Sequence, residues 1–475
     1  MRNYENHVQR FKNNVLVEVA KYAFEGTLDK NLMKIPYTVS PGPDSHFRCC
    51  IYHERAVIAD RTHVALGGDP NIDGIVEVLP SACDQCPINK YVITETCRGC
   101  IANRCLSSCP VKAIMIQRGR AVIDYDKCIE CGRCKESCPF SAIADVMRPC
   151  KKACPTDAIK IDKRKNAIIN YDNCISCGSC VQKCPFGAIQ DKSQIVPVIQ
   201  AIKSKKSSVY AMVAPSFATQ FDYAELGKVV TGIKKIGFRD VVEVALGADM
   251  VAKHEAEELL ANKEKGEILT SSCCPGFVNY IDNKYPELKK HVSKTISPMK
   301  ATARLIKSID PEAVVVFIGP CIGKKSEAKN DASTDFVLTF EELAALIQSK
   351  DIDLEKLEAA PLNNASYYGR KFAASGGVSK AVLQCIEDKS KEPIKVELCD
   401  GIEACDKTLR LIKHNRFEKD FVEGMACQGG CIKGPAVMHY GPKDLKTLES
   451  YSSLAHEPDS KDAIRHFDGL DIPLE

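Results

Sequence analysis

The sequence predicts an α/β domain with largely parallel sheets flanked by helices, preceded by small α+β modules dense in cysteine. Three observations carry that expectation. From Val209 onward, short apolar runs alternate with longer stretches of helical periodicity. Between residues 81 and 190, sixteen of the 26 cysteines fall mostly in Cys-x-x-Cys groups, separated by short β-rich segments. A Lys/Ser-rich stretch over 191–208 divides the two regions and reads as a connecting helix and linker.

At 475 residues the chain has room for several domains. Residues 1–80 hold few cysteines and form an N-terminal extension with a helical start, because Val8, Phe11, Val15, Leu16 and Val19 recur at near-helical spacing. The opening Met1, Arg2, Asn3, Tyr4, Glu5, Asn6 lacks the basic-then-apolar secretory pattern. The strongest apolar run, 313–319, is far short of the ~18 residues of a membrane helix. A cytoplasmic protein is expected, and a reducing cytoplasm directs dense cysteines to metal instead of disulfides. A formal charge of +3 implies no nucleic-acid footprint, and Lys203, Lys205 and Lys206 read as solvated linker. In the remaining chain, 209–475, strands are expected at 209–214, 241–245, 267–270, 313–319, 394–399 and 421–426, with helices such as 251–262 and 340–348 between them.

The strongest local signal is Cys128-x-x-Cys131-x-x-Cys134-x-x-x-Cys138-Pro139, nearly repeated by Cys174, Cys177, Cys180, Cys184 and Pro185. This is bacterial-ferredoxin spacing: one tight loop gives three sulfurs to a 4Fe–4S cube, and the fourth cysteine reaches a second cube. Soft thiolates suit such clusters. A zinc ribbon would use two separated Cys-x-x-Cys pairs and has no need of the Cys-Pro ending. A looser version, Cys97-x-x-Cys100-x4-Cys105-x3-Cys109-Pro110, comes first. By the crossed rule, one cube takes Cys97, Cys100, Cys105 and Cys138; the other takes Cys128, Cys131, Cys134 and Cys109.

Eight cysteines follow residue 208, and setting Cys49 and Cys50 aside leaves sixteen, four for each of four cubes. The third cube takes Cys174, Cys177 and Cys180 with Cys154, whose Pro155 fits the remote-ligand position. Cys83, Cys86, Cys150 and Cys184 remain. Cys83-Asp84-Gln85-Cys86 supplies the opening pair that Cys150 and Cys154 lack, so 81–190 reads as two nested ferredoxin-like modules, one inserted in the first loop of the other. Joining Cys83 and Cys86 to Cys49 and Cys50 instead would strand Cys184. A further metal site at Cys49 and Cys50, with His46 nearby, is a separate possibility.

Three motifs follow strands in the α/β region: Thr270-Ser271-Ser272-Cys273-Cys274-Pro275-Gly276-Phe277; Gly319-Pro320-Cys321-Ile322-Gly323-Lys324-Lys325-Ser326-Glu327; and Met425-Ala426-Cys427-Gln428-Gly429-Gly430-Cys431. Read by themselves they offer thiolates from three distant segments, with glycines that let the backbone approach a bulky group, which a fifth cube would also satisfy. They resemble the three signatures of FeFe hydrogenases, and the resemblance runs from about residue 205 to 450. It implies a catalytic domain holding an H-cluster, a 4Fe–4S cube joined to a two-iron subsite with carbon monoxide, cyanide and azadithiolate. Carried over, Cys274, Cys321, Cys427 and Cys431 hold the cube, and Cys431 bridges to the two-iron unit. Lys324 and Ser216, in Ala214-Pro215-Ser216, donate to cyanide, and Met425 packs near the bridging carbonyl. Cys273 exchanges protons with the amine, and Glu255, Glu258 and Ser293 continue the relay. Glu255 and Glu258 are three apart, on one helical face.

The resemblance further implies reversible hydrogen chemistry, H₂ and protons as substrate, a ferredoxin-like electron carrier, maturation proteins and an anaerobic setting. Phe277 stands where the family usually has Trp, Gly319 where Met is common, and Met299 where Gln is common. Ile432-Lys433-Gly434-Pro435 replaces a glycine triplet, and no plant-type 2Fe–2S domain is evident. These features are similar to the less-studied group B branch. Two other readings stand beside the enzyme: a hydrogenase-like iron–sulfur protein without the two-iron subsite, serving cluster assembly or electron transfer, and a hydrogen sensor. The first needs only the four cube ligands, leaving Cys273, Lys324 and the glutamates without a task. Cys385, Cys399 and Cys405 read as buried small apolar residues.

Overall fold

The computed structural model describes residues 4, 6–386, 392–467 and 469–475. Met1, Arg2, Asn3 and Glu5, part of the opening read for a secretory pattern, lie outside the described residues. Two parallel sheets organise the C-terminal half. The larger runs Asp240–Glu243, Val209–Val213, Val314–Gly319, Phe336–Thr339; the smaller runs Leu269–Thr270, Phe421–Met425, Val396–Asp400. Every neighbouring pair in both is parallel. Their central strands are apolar runs buried on both faces, as helix-covered parallel strands must be.

Helices cover these sheets. Val244–Glu264 packs against Pro298–Ile309 and Gly377–Ile386, while Leu226–Ile236 and Phe340–Ser349 lie at the larger sheet. The strand expected at 241–245 stops at Glu243, and Val244 and Ala245 open the long helix instead. Phe336–Thr339 was not anticipated; only four residues long, it ends in Thr339, which forms a reciprocal capping box with Glu342.

Two modules of one plan lie upstream. In the inner one, Tyr91–Ile93 pairs antiparallel with Ile143–Asp145 around the hairpin Ile114–Gln117/Arg120–Ile123. In the outer one, Val76–Val78 pairs antiparallel with Ile189–Asp191 around the hairpin Ile159–Ile161/Ala167–Ile169. The inner module leaves the outer chain after Cys86 and returns before Cys150. The outer module therefore starts near residue 76, inside the stretch expected to be an N-terminal extension.

That extension and the expected linker are built into the core. Val15, Leu16 and Val19 of His7–Glu25 share a buried cluster with Phe340, Leu343 and Ile347. Ile195, Val198 and Ile199 of the helix Ile195–Ser204 are fully buried in the same cluster. Counting Lys and Ser over 191–208 hid this i, i+3, i+4 apolar face. Lys203 is exposed, but it belongs to this helix and caps another: its Nζ donates to Ala23 O (2.9 Å) and Phe24 O (2.7 Å). Beneath lies a buried ionic junction. Lys12 bridges Asp191 (2.7 Å) and Glu341 (2.6 Å), and Lys325 bridges Asp191 (2.7 Å) and Glu342 (3.0 Å). It joins the opening helix, the outer module and the helices Gly323–Lys329 and Phe340–Ser349 in one network whose members satisfy one another. Among the described residues no helix is long and apolar enough to cross a membrane.

Candidate active site and cluster ligands

The strands aim their C-terminal ends at one place. Val209–Val213 leads into Pro215 and Ser216, and Leu269–Thr270 leads into Cys273 and Cys274. Val314–Gly319 leads into Cys321 and Lys324, and Phe421–Met425 into Cys427 and Cys431. All of these residues, with Met425, line one cavity of about 100 Å³. Open parallel sheets place ligands at such strand ends. Gly424 makes room behind it, since a Cβ there would sit 2.3 Å from the Phe277 ring.

The donor set fits a cluster held by thiolates. Burial and the neighbouring thiols push Cys321 up to about 11 and Cys431 up to about 12, and hold Cys427 well above an ordinary thiol. Such sulfurs become thiolates readily only when a metal group supplies the missing positive charge. Ala426 N donates to Cys274 Sγ (3.5 Å), as amides do to cluster sulfurs. Among the described residues no three His, Cys, Asp or Glu side chains converge closely enough to share one ion; a cube instead spreads its ligands around a body.

Two polar groups in the cavity have no use in holding a cube alone. Ser216 is fully buried, and its Oγ has no hydrogen-bond partner. Lys324 is buried; its Nζ donates to Cys273 O (3.2 Å) and Glu327 Oε2 (2.5 Å). Burial alone would pull its pKa down, but the Glu327 carboxylate raises it, so the ammonium is retained.

Beside the cavity, Cys273 is raised well above an ordinary thiol, by burial first and then by the charge of Glu255. Glu255 is 1% exposed, and neither carboxylate oxygen has a hydrogen-bond partner. Burial, then the nearby Glu258, pushes its pKa up to about 8. Ser293 Oγ donates to Glu258 Oε2 at 2.6 Å. Ser293 thus bonds Glu258, and Ser293 and the Ser272 amide also act on the Glu255 carboxyl, against its upward shift. The sequence reading missed Thr295 and His254. Thr295 Oγ1 lies 2.8 Å from His254 Nδ1 and donates to Glu258 Oε2 at 3.2 Å. His254 stands directly before Glu255, which is the signal that could have drawn it in.

The Glu255 pKa carries a testable consequence for stability. Below the unfolded value near 4.5 both states hold the proton. Between there and about 8 only the native state does, so stability falls as pH rises through that window and levels off above it. Glu255→Gln removes the loss. Anaerobic urea unfolding at pH 5.5 and 8.5 should show the variant gaining on the parent by on the order of 3–5 kcal/mol at the higher pH. Equal pH slopes in the two proteins would contradict this.

The upstream cysteines gather in four sets. Cys97, Cys100, Cys105 and Cys138 line one cavity, and Cys109, Cys128, Cys131 and Cys134 another. Cys180 is raised by burial and then by Cys177, Cys174 and Cys154, with Cys150 a further neighbour. Cys150 is pushed up to about 11 by burial, then by Cys184, Cys83 and Cys86. The two modules repeat their bonds to sulfur. Three residues after Cys109, Cys138, Cys154 and Cys184 stand Lys112, Ser141, Asp157 and Gly187, all at φ between 49° and 57°. Each positive φ turns the next amide back: Ala113, Ala142, Ala158 and Ala188 N–H donate to those four sulfurs at 3.2–3.4 Å. Ala121 N donates to Cys97 Sγ (3.5 Å), and Ala167 N donates to Cys83 Sγ (3.3 Å). The buried Arg148 adds a guanidinium donor to Cys83 Sγ at 3.8 Å. The Cys-Pro-x-x-Ala repeat at Cys109, Cys138, Cys154 and Cys184 marks these positions in the sequence itself.

The Cys174–Cys180 loop abuts the strand-end cavity. A Cβ on Gly276 would lie 3.5 Å from Cys177 Cβ, and Asn279 Nδ2 donates to Ile175 O at 3.2 Å. Cys385, Cys399 and Cys405 are buried; the Cys405 thiol faces Met425 O at 3.6 Å. The His46 expected beside Cys49 and Cys50 turns to Glu54 instead (3.3 Å), whose carboxylate is wholly buried and draws it in.

Comparison with known proteins follows this geometry. The family model described as "Iron only hydrogenase large subunit, C-terminal domain" matches residues 207–435, a 4Fe-4S dicluster domain model matches 89–143, and an LdpA Fe-S cluster-binding domain model matches 143–195. Iron hydrogenase 1 of Clostridium pasteurianum is 31% identical over 69% of this chain and 66% of its own. The periplasmic [Fe] hydrogenase large subunit of Nitratidesulfovibrio vulgaris is 30% identical over 66% of this chain and 85% of its own. A probable cytosolic Fe-S cluster assembly factor, oxy-4 of Caenorhabditis elegans, is 24% identical over 56% and 72%. A solved [FeFe]-hydrogenase, studied for oxygen inactivation, shares the fold at a TM-score of 0.50 and 19% identity, over 58% of this chain and 94% of that one.

Proposed function

From the premise that the chain belongs to the iron-only hydrogenase family, we propose that it interconverts protons, electrons and H₂ as an FeFe hydrogenase. One observation carries the reading beyond the family: Ser216 and Lys324, a buried unpartnered hydroxyl and a retained ammonium, face a cavity adjoining four cysteines. A cube alone leaves both without a task. A two-iron unit with cyanide ligands would give the Ser216 hydroxyl a partner and the Lys324 ammonium an anionic one facing the cavity.

In this reading Cys274, Cys321, Cys427 and Cys431 hold an H-cluster cube, with Cys431 at the junction to the two-iron unit. When bound, that unit supplies the centre where protons and electrons combine. The residues of the chain do the rest. Cys273, kept protonated by burial and Glu255, holds a proton at the cavity wall. Glu255, with a pKa near 8, exchanges protons close to neutrality, as a relay group should. Ser293, hydrogen-bonded to the half-buried Glu258, continues the path outward. Pro215 and Met425 close the walls against water. The four upstream cysteine sets would hold four 4Fe–4S clusters, with the Cys154/Cys174/Cys177/Cys180 set nearest the site and the Cys83/Cys86/Cys150/Cys184 set behind it. A ferredoxin-like carrier, H₂ and protons, and maturation proteins are the proposed partners, in a cytoplasmic, anaerobic setting.

The competing role is that of an iron–sulfur protein in cluster assembly, as oxy-4 is named. Infrared spectroscopy separates the two. Anaerobically purified protein, matured with a two-iron complex, should show carbonyl and cyanide bands and evolve H₂ with reduced viologen. Protein that takes up no such bands and makes no H₂ belongs to the second role.

A further inference from the structure

Cys49 and Cys50 belong to none of the four cluster sets, and they face solvent while Cys83 nearby is buried. Their sulfurs lie 3.9 Å apart. Cys50 is the N-cap of the fifteen-residue helix Ile51–Ala65; the amides of His53 and Tyr52 face its sulfur and lower its pKa, His53 most strongly. Helix N-termini favour the thiolate in this way. Cys49 Sγ lies 3.3 Å from His53 Nδ1. The other ring nitrogen, Nε2, is 2.8 Å from Ser81 O, and a carbonyl can only accept. The hydrogen therefore sits on Nε2, and Nδ1 is free to take the proton of Cys49.

The trio is anchored to a cluster loop. His53 bonds Ser81 O, and Arg48 Nη2 donates to Ala82 O (3.0 Å), the two carbonyls just before Cys83. No third ligand converges with the pair on a single ion among the described residues. A low-pKa, exposed thiolate beside a resolving thiol with its own base is the arrangement that reacts with peroxides.

We propose that Cys49 and Cys50 form a thiol site that reduces hydroperoxides, with Cys50 attacking, Cys49 resolving and His53 as the base. The Cys50 thiolate attacks the terminal oxygen of ROOH; the O–O bond breaks, an S–O bond forms, and RO⁻ leaves as ROH with the proton released when Cys50 ionised. Cys49 then gives its proton to His53 Nδ1 and attacks the Cys50 sulfur. The S–S bond forms, the S–O bond breaks, and hydroxide leaves as water with the proton from His53. In sum, two thiols and ROOH give a disulfide, ROH and H₂O. Neighbouring Cα atoms are about 3.8 Å apart across a trans peptide, below the usual ~4.4–6.8 Å of a disulfide. The product is therefore strained and readily reduced by a solution dithiol, which returns the site. An oxidant arriving on this side meets the pair before the buried sulfur of Cys83.

Trypsin cuts after Arg48 and Arg55, releasing Cys49–Arg55 with both cysteines and no cluster ligand. The intact, anaerobically prepared chain is treated with one equivalent of hydrogen peroxide, and this peptide is followed by mass spectrometry. It should lose two hydrogens, reversibly with dithiothreitol, about tenfold faster than the free heptapeptide. Cys49→Ser should trap Cys50 as a dimedone-labelled sulfenic acid, and Cys50→Ser should form neither product. His53→Gln should leave the first step intact and slow disulfide closure about tenfold. Iron content should be the same in all three variants. Oxidation no faster than in the free peptide, equal labelling of the two sulfurs, loss of iron in Cys50→Ser, or stoichiometric Zn²⁺ retained through the pair would each overturn the proposal.

Discussion

Cys273→Ala should keep the iron complement and the carbonyl and cyanide bands of matured protein while H₂ turnover falls by about a hundredfold or more. The expectation rests on where Cys273 sits. It lines the cavity beside Cys274 but is an extra thiol next to a complete set of four. Its sulfur is held protonated by burial and by Glu255, the buried carboxyl from which the proposed path runs outward to Ser293 and Glu258. Alanine leaves an apolar gap between the cavity and Glu255. Cys273→Asp should restore part of the rate, because a carboxylate also accepts and releases protons. Loss of the bands themselves in Cys273→Ala would make this sulfur a ligand and end the assignment.

Cys150→Ser should remove one cube and no other. Four upstream cubes and an H-cluster give about 22 irons per chain, and three give about 18. Cys150 is 5% exposed, and the groups that act on its thiol are Cys184, Cys83 and Cys86. Its counterpart in the inner module is Cys105, as Cys83 is the counterpart of Cys97 by their matching amide donors. Iron should drop by about four in the variant, with the catalytic bands unchanged. A parent protein that saturates near 18, or a variant with every cube intact, is the result that sinks the nested reading.

The sequence was most informative where chemistry fixes spacing. Three sulfurs on one cube impose Cys-x-x-Cys-x-x-Cys, so the loops of both modules could be read without a structure. The central strands of the larger sheet were legible too, because Val209–Val213 and Val314–Gly319 are nearly unbroken apolar runs. Two things were less so. A four-residue strand such as Phe336–Thr339 offers too little pattern before a helix begins. Packing between distant segments leaves no local trace at all: Lys12, Asp191, Lys325 and Glu342 look like surface charges until the fold closes around them. The approach of His53 to Cys49, and not His46, is of the same kind, since both histidines are equally near in sequence and only the start of a helix at Ile51 decides between them.

The nested modules impose a timetable on synthesis. Of the sixteen module cysteines, Cys83 and Cys86 leave the ribosome first, yet Cys184 emerges a hundred residues later, roughly 5–20 s at ordinary elongation rates. Within that interval the inserted module is completed, with all eight of its sulfurs present. The outer strand pair, Val76–Val78 with Ile189–Asp191, closes last and over the longest loop. Among these sixteen, the earliest thiols to appear are thus the last whose partners arrive.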